Sequence, residues 1–258
     1  MSEFLATGIR AVKKAEDVIL KYYRNNTGYR LKGDSSPITL ADQEGQKMII
    51  EEILKDFPDH SFICEEETEK TNPLGEYKWI IDPVDGTKNF MRGIPMWGTL
   101  LALMRGEEII LGITNTPEMN ELVRAEKGEG CFLNDKKVNV SEINHLNEAF
   151  MVNGSIHYFE NISKLNNLLK LTRLTMGHRG FGECWSYNLL ASGRIDIMVE
   201  ASIKIWDIAP ATIITEEAGG KMTDLYGDKV GLKTTTALGT NGRLHPEILR
   251  IFNPKYED

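Results

Sequence analysis

The chain has little cysteine. Its 258 residues hold three, Cys64, Cys131 and Cys184, an odd number at wide spacing with no C-x-x-C pair. Neither a disulfide framework nor a zinc site is expected. Long apolar runs are also missing. The longest, Trp97–Met104, falls far short of the roughly 20 residues that span a bilayer. Positive charge is in deficit: 30 Lys and Arg face 38 Asp and Glu, for a net charge of −8. Such a chain repels nucleic-acid phosphates at long range, and no basic stripe offsets this. Neither nucleic acid nor membrane is expected as a partner. The histidines His60, His145, His157, His178 and His245 show no spacing of a catalytic pair, and no Ser-His-Asp or Cys-x5-Arg arrangement is present. The opening MSEFLATGIRAVKKAEDVILKYY mixes charges with apolar residues at helical intervals and reads as a helix, not a secretory leader. These absences point to a reduced, soluble, cytoplasmic protein.

What is present is a core: 41% of the residues are hydrophobic. At this length, one compact unit or two intimately packed halves is expected, divided here at 1–145 and 146–258. Phe4, Ile9, Val12, Ala15, Val18, Ile19 and Tyr22 predict an amphipathic helix over 3–25. A loop, Lys32–Pro37, precedes a second helix over Leu40–Lys55, started by Thr39 and Asp42 in capping-box spacing and stopped at Pro58. Strands are predicted at Ser61–Cys64, Tyr77–Ile81, Trp97–Met104, Glu108–Thr114, Glu121–Ala125 and Gly130–Leu133, punctuated as antiparallel hairpins would be. Beyond about residue 146, helices (Ile156–Leu169, Glu183–Ala191, Ile208–Ala218 and one after Arg243) alternate with strands (Ala149–Asn153, Arg173–Met176, Ile195–Val199, Thr236–Thr240). The expected class is α+β in layers, with an antiparallel first half and a more α/β second half.

Three acidic segments carry the chemistry. In WIIDPVDGTKNF, residues 79–90, an apolar strand ends at Asp82. Pro83 forces Asp82 extended, and a tight bend brings Asp85 back to the same point. Gly86 permits close ligand approach, and Thr87 follows at a helix start. The same residues also suit a plain surface turn. In CEEETE, Glu65 and Glu66 stand at a strand end, whereas Glu67 and Glu69 read as solvated. In IWDIAPATIITEEAGG, Asp207 opens a helix that Gly219–Gly220 ends; an N-cap is the ordinary reading of such an aspartate.

Taken in order, ITLADQE, EEE, WIIDPVDGTKNF and IWDIAPATIITEEAGG resemble the inositol monophosphatase family of metal-dependent, lithium-sensitive phosphatases over nearly the whole chain. The resemblance implies a layered α/β/α/β/α fold with mixed and antiparallel sheets, and a homodimer. It makes Glu65, Asp82, the Val84 carbonyl, Asp85 and Asp207 the metal ligands. Asp42 and Glu66 fall at outer or third-metal positions, and Thr87 with Asp42 at those that orient the attacking water. Oxygen-only ligation of this kind selects Mg²⁺, two or three ions, or Mn²⁺, over Zn²⁺. Cys64 departs from the glycine usual before the paired glutamates.

By the same resemblance, Gly86, Thr87 and Asp207 contact substrate, and Glu200 meets substrate hydroxyls. RGFGECWSY, residues 179–187, resembles the RxxGDCYGY-like segment of the histidinol-phosphate phosphatase branch, with Glu183 for Asp, Trp185 for Tyr and Ser186 for Gly. A carboxylate at 183 suits the cationic amine of histidinol phosphate, since a charge-assisted hydrogen bond contributes about 1.5–3 kcal/mol. An acid at a helix start equally suits the dipole. Arg179 either positions this acid, meets phosphate or forms a surface pair. The expected activity is hydrolysis of a small phosphate monoester, histidinol phosphate first. Inositol phosphates or sugar phosphates such as fructose 1,6-bisphosphate are the alternative substrates. A regulatory partner of the transcription apparatus is the non-enzymatic alternative.

Overall fold

The computed structural model describes residues 1–25, 29–31, 37–66 and 75–253. Lys32–Ser36 of the expected loop, together with Glu67 and Glu69, lie outside the described residues. Among the described residues are eight α-helices: α1 Glu3–Asn25, α2 Leu40–Asp56, α3 Thr87–Met91, α4 Ile156–Asn161, α5 Leu165–Leu174, α6 Glu183–Ala191, α7 Ile205–Glu217 and α8 His245–Phe252. A short antiparallel pair, β1 Tyr29–Leu31 and β2 Pro37–Thr39, joins α1 to α2.

The first large sheet has seven strands in chain order: β3 Ser61–Cys64, β4 Tyr77–Asp85, β5 Gly98–Arg105, β6 Glu108–Thr116, β7 Glu121–Glu126, β8 Gly130–Leu133 and β9 Lys136–Val138. The expected antiparallel meander is right from β4 onward, but β3 runs parallel to β4. Parallel neighbours need a crossover rather than a hairpin, and residues 65–76 lie between them. The second sheet has five strands, β10 Phe150–Asn153, β11 Gly177–Arg179, β12 Ile197–Ala201, β13 Lys221–Thr223 and β14 Thr236–Thr240, in the order β11-β10-β12-β14-β13.

Three of the four hydrophobic clusters among the described residues show how these elements stack into five layers. Val12, Ala15 and Ile19 of α1 and Ile49 and Ile53 of α2 bury against Trp79, Leu101 and Ile113 on one face of the first sheet. On its other face, Ile80, Ala102 and Met104 meet Tyr187 and Leu190 of α6, Ile208 of α7, and Val152 and Met198 of the second sheet. Phe159, Leu168, Leu171, Ile248 and Phe252 of α4, α5 and α8 close the far side against Ile197, Val199 and Leu238. The order is therefore α/β/α/β/α. Most residues of α6 and α7 are buried, and the two helices fill the space between the sheets.

Two expectations after residue 146 are corrected. The predicted helix Ile156–Leu169 is two helices, broken at Ser163, whose φ is +58°. Arg173–Met176 is not a strand: Leu168 and Leu171 bury one face of α5, which carries the helix on to Leu174, and the strand is Gly177–Arg179. Among the described residues no helix is long and apolar enough to cross a membrane.

Candidate active site

The bend in β4 builds the centre of the site. Rather than ending at Asp82, the strand continues to Asp85 through a register shift against β5: Asp82 pairs with Leu100 and Asp85 with Gly98. Pro83 cannot donate to the ladder, and the irregularity sits where its N–H would be. Asp82 Oδ1 accepts from the Val84 N–H at 3.0 Å, which pins the bend. Thr87 Oγ1 donates to the Val84 carbonyl at 3.1 Å, and Thr99 Oγ1 to that of Pro83 at 2.9 Å. Gly86 turns the chain into α3 with φ +82°; a Cβ there would stand 2.9 Å from the Met96 carbonyl oxygen.

Two groups of three carboxylates result, each with oxygen atoms all within 4.8 Å of one another: Asp82, Asp85 and Asp207, and Asp42, Glu65 and Glu66. Glu65 arrives because β3 continues past Cys64 beside β4, its N–H donating to the Ile81 carbonyl at 3.1 Å. Gln46 of α2 brackets Glu66, donating to its carbonyl at 3.1 Å and accepting from its N–H at 3.2 Å. The capping box at α2 is present: Asp42 accepts from the Thr39 N–H at 2.7 Å and from its hydroxyl. Asp207 is not the N-cap of α7. It is the third residue of the first turn, and its Oδ2 accepts from the Lys204 N–H at 2.7 Å.

These acids are crowded and withdrawn from water, which disfavours their charged forms. Burial, opposed by Thr39 and reinforced by Glu65 and Glu66, pushes Asp42 up to about 7. Burial together with Glu183 pushes Asp85 up to about 8, and burial together with Asp85 does the same for Asp207. Asp82 is driven well above the carboxylate range by burial and then by Glu65, Asp85 and Asp207. Asp42 Oδ1 is buried with no hydrogen-bond partner. A buried orphan acceptor and a crowd of like charges, only partly offset by Lys204 beside Asp207, are what a cation would resolve, and an all-oxygen donor set suits a hard divalent one. The residues present fit a metal.

The carboxylates open into a cleft of about 470 Å³, lined by Glu65, Asp85, Gly86, Thr87, Glu183, Glu200 and Asp207, all of which the sequence had singled out. Asp82 and Asp42 lie buried, at 2% and 0% exposure. Glu183 enters at the start of α6 with φ +57°, a left-handed conformation costly for a side chain of this kind. Burial, then Glu200 and Asp207, push it up to about 7, while Lys88 opposes. Burial pushes Glu200 up to about 8, against a hydrogen bond from Tyr187.

Arg179 is placed elsewhere. It is exposed on β11, does not line the cleft, and lays its guanidinium over the Phe150 ring at 5.6 Å. His178 is likewise exposed outside the lining. Cys184, within the segment that resembles the histidinol-phosphate phosphatase branch, lines the cleft, and so do Lys88 and Tyr158, which were not foreseen there. Burial, then Asp85, holds the Cys184 thiol well above its ordinary range, and the Cys184 N–H donates to Asp85 Oδ2 at 2.6 Å. Lys88 had a legible signal, since it directly follows Thr87. Tyr158 had none, because its helix is distant in sequence.

Carboxylates that could hold a metal, opening into a cleft on this five-layered fold, suit a metal-dependent phosphatase acting on small phosphorylated substrates. The chain belongs to the Inositol monophosphatase family, whose model matches residues 1–256. It is 33% identical to a histidinol-phosphatase from Streptomyces coelicolor, over 87% of this chain and 87% of that one. It is 32% identical to a fructose-1,6-bisphosphatase/inositol-1-monophosphatase from Thermotoga maritima, over 97% and 96%. Among solved structures, the extragenic suppressor protein suhB from Bartonella henselae superposes with a TM-score of 0.91 at 29% identity, covering 97% of this chain and 98% of that one.

Proposed function

We propose that the chain hydrolyses histidinol phosphate to histidinol and phosphate, with Mg²⁺ as its metal and Mn²⁺ as a substitute. The observation that carries the choice of ester is the second pair of carboxylates, Glu183 and Glu200, lining the cleft beside Asp85 and Asp207. A cationic amine on the leaving group gains a charge-assisted hydrogen bond there, and inositol offers no such cation. The name of the Streptomyces relative points the same way.

Glu65, Asp82, the Val84 carbonyl, Asp85 and Asp207 would hold two ions, with Glu66 at a third-metal position and Asp42 at an outer one. When bound, the cations supply Lewis-acid stabilisation of phosphoryl charge and make water a stronger acid. The protein's own groups do the rest. Thr87 Oγ1, its proton engaged by the Val84 carbonyl, keeps its lone pairs for a water proton and orients that water toward phosphorus. Asp42 Oδ1, otherwise unpartnered, takes the water proton as the O–P bond forms, and as the ester P–O bond breaks the departing alkoxide takes a proton from water in the cleft. Gly86 and Thr87 meet phosphate oxygens, and Glu183 and Glu200 hold the departing alcohol. On the division at 145, most ligands come from the first half and Asp207, Glu183 and Glu200 from the second. Arg179 receives no role.

The test is phosphate release from histidinol phosphate beside myo-inositol 1-phosphate and fructose 1,6-bisphosphate. A clear preference for histidinol phosphate is expected; preference for either other ester refutes the assignment. A second reading, a broad inositol and sugar-phosphate phosphatase, is favoured by Lys88, a cation in the lining able to meet a second phosphate, and by the Thermotoga relative's name. The regulatory alternative has in its favour the Nus factor name of a relative from Pasteurella multocida, 31% identical over 100% of this chain and 98% of that one. It would be supported by an Asp85→Asn variant, catalytically dead, that still complements a cellular defect. We further place the protein in the cytoplasm as a lithium-inhibited homodimer, which sedimentation and assays with added Li⁺ would test.

A further inference from the structure

We propose that Phe181 and Tyr158 are specificity-determining residues, aromatic walls that receive a flat ring carried by the leaving alcohol. The inference rests on the reading of the cleft as a phosphatase site whose Glu183 and Glu200 meet an amine.

The place follows from the second sheet. β10 lies between β11 and β12 and runs parallel to both. The chain leaves β10 through α4 and α5 to reach β11 on one side, then passes through α6 to β12 on the other. A crevice opens outside the carboxyl ends of such strands, at the point where the connections part. Residues at those ends line the cleft: Gly154 after β10, Gly180 and Phe181 after β11, and Ala201 closing β12. Beside Phe181 there is room. A Cβ on Gly180 would meet nothing nearer than Asn153 Nδ2 at 3.9 Å.

Both rings are half-buried. Phe181 rests on the Trp185 ring of α6, centroid to centroid 5.7 Å, and packs against the core between the sheets. Tyr158 of α4 packs against the cluster on the far side of the second sheet. Each ring is therefore held by the core over part of its surface and lines the cleft with the rest. In histidinol phosphate the imidazole stands one methylene from the carbon that bears the amine. Phe181 precedes Glu183 by two residues, so ring and amine are met side by side. A flat ring gains from an aromatic neighbour beyond the area it buries. Inositol, puckered and hydroxylated on every carbon, has no such face.

The test compares kcat/KM for histidinol phosphate with that for 2-aminopropyl phosphate, which keeps the amine on the same carbon and has no ring. The wild type is expected to favour histidinol phosphate by about 10-fold or more. Phe181→Leu and Tyr158→Leu should each shrink that ratio roughly 3- to 10-fold, and Phe181→Tyr should keep it. The ratio is independent of how much enzyme is folded, so a packing role alone leaves it unmoved. An unchanged ratio in either leucine variant overturns the proposal, as does a wild type indifferent to the ring. Should Phe181→Leu not fold, Tyr158→Leu, on a separate helix, carries the same comparison. A wild type that prefers myo-inositol 1-phosphate to both amine esters refutes the choice of ester, and the ratio between those two still reads the ring separately.

Discussion

Tyr187 donates a 2.8 Å hydrogen bond from its phenol to Glu200 Oε2, joining the buried middle of α6 to a carboxylate at the end of β12. Tyr187 is 1% exposed, so Glu200 owes its direction to a group the substrate never touches. Glu183 begins the same helix, one turn earlier. The two acids are thus tied to one helix, Glu183 as its first residue and Glu200 through the Tyr187 bond.

Tyr187→Phe removes that bond while keeping the ring. A hydrogen bond to a charged group contributes about 1.5–3 kcal/mol, so KM should rise roughly 10-fold or more with kcat nearly intact. Steady-state kinetics on histidinol phosphate decides; a fall in kcat at constant KM would place Glu200 in the chemistry instead.

Glu183→Gln keeps size and removes charge. The kcat/KM for histidinol phosphate should drop by at least about 10-fold, and that for myo-inositol 1-phosphate should hold or rise. Parallel losses on both esters would mean that Glu183 serves the fold or the metals.

Asp82→Asn and Asp207→Asn should each lower turnover by several orders of magnitude without unfolding the chain. Excess chelator should abolish activity, and Mg²⁺ should return it. Circular dichroism beside the assay separates this from collapse, and near-normal turnover in either variant would remove the metal-site assignment.

His245 offers a pH prediction away from the site. It is fully buried, with Thr223 Oγ1 and Thr240 Oγ1 each 3.0 Å from a ring nitrogen. Burial, aided by Lys221, holds it down to about 4. The unfolded chain takes up this proton near its ordinary value of about 6.5, the folded chain only near 4. Stability from the neutral ring is therefore complete above about 6.5 and drains away as pH falls toward 4. The site acids, held above their ordinary range, titrate with opposite sign, so the measurement is a difference. Subtracting the Tm–pH curve of His245→Asn from that of the wild type should leave a downward slope of up to one proton between pH 6.5 and 4. A flat difference would show that the ring is charged in the fold.

Much of this was legible in the chain. Thr39 and Asp42 announced the start of α2, and the spacing of Val12, Ala15 and Ile19 announced α1, because caps and helical periodicity act within a few residues. Asp82 and Asp85 were legible as a pair, since an apolar strand followed by Asp-Pro-Val-Asp-Gly has few ways to continue. The parallel seat of β3 was not, because its partner is chosen by a crossover and not by a turn. Nor was the end of α5, which Leu168 and Leu171 extend by packing on the core.

Local order thus wrote out the helices, the bend after Asp82 and the kinds of atom offered to a cation: these depend on torsions and on side-chain chemistry within a turn or two. Tertiary structure alone decided that Asp207, Glu65 and Asp42 would stand beside that bend, that Cys184 would grip Asp85, and that Arg179 would be left outside. Such meetings depend on which faces two sheets bury against α6 and α7, a choice that no short stretch of sequence makes.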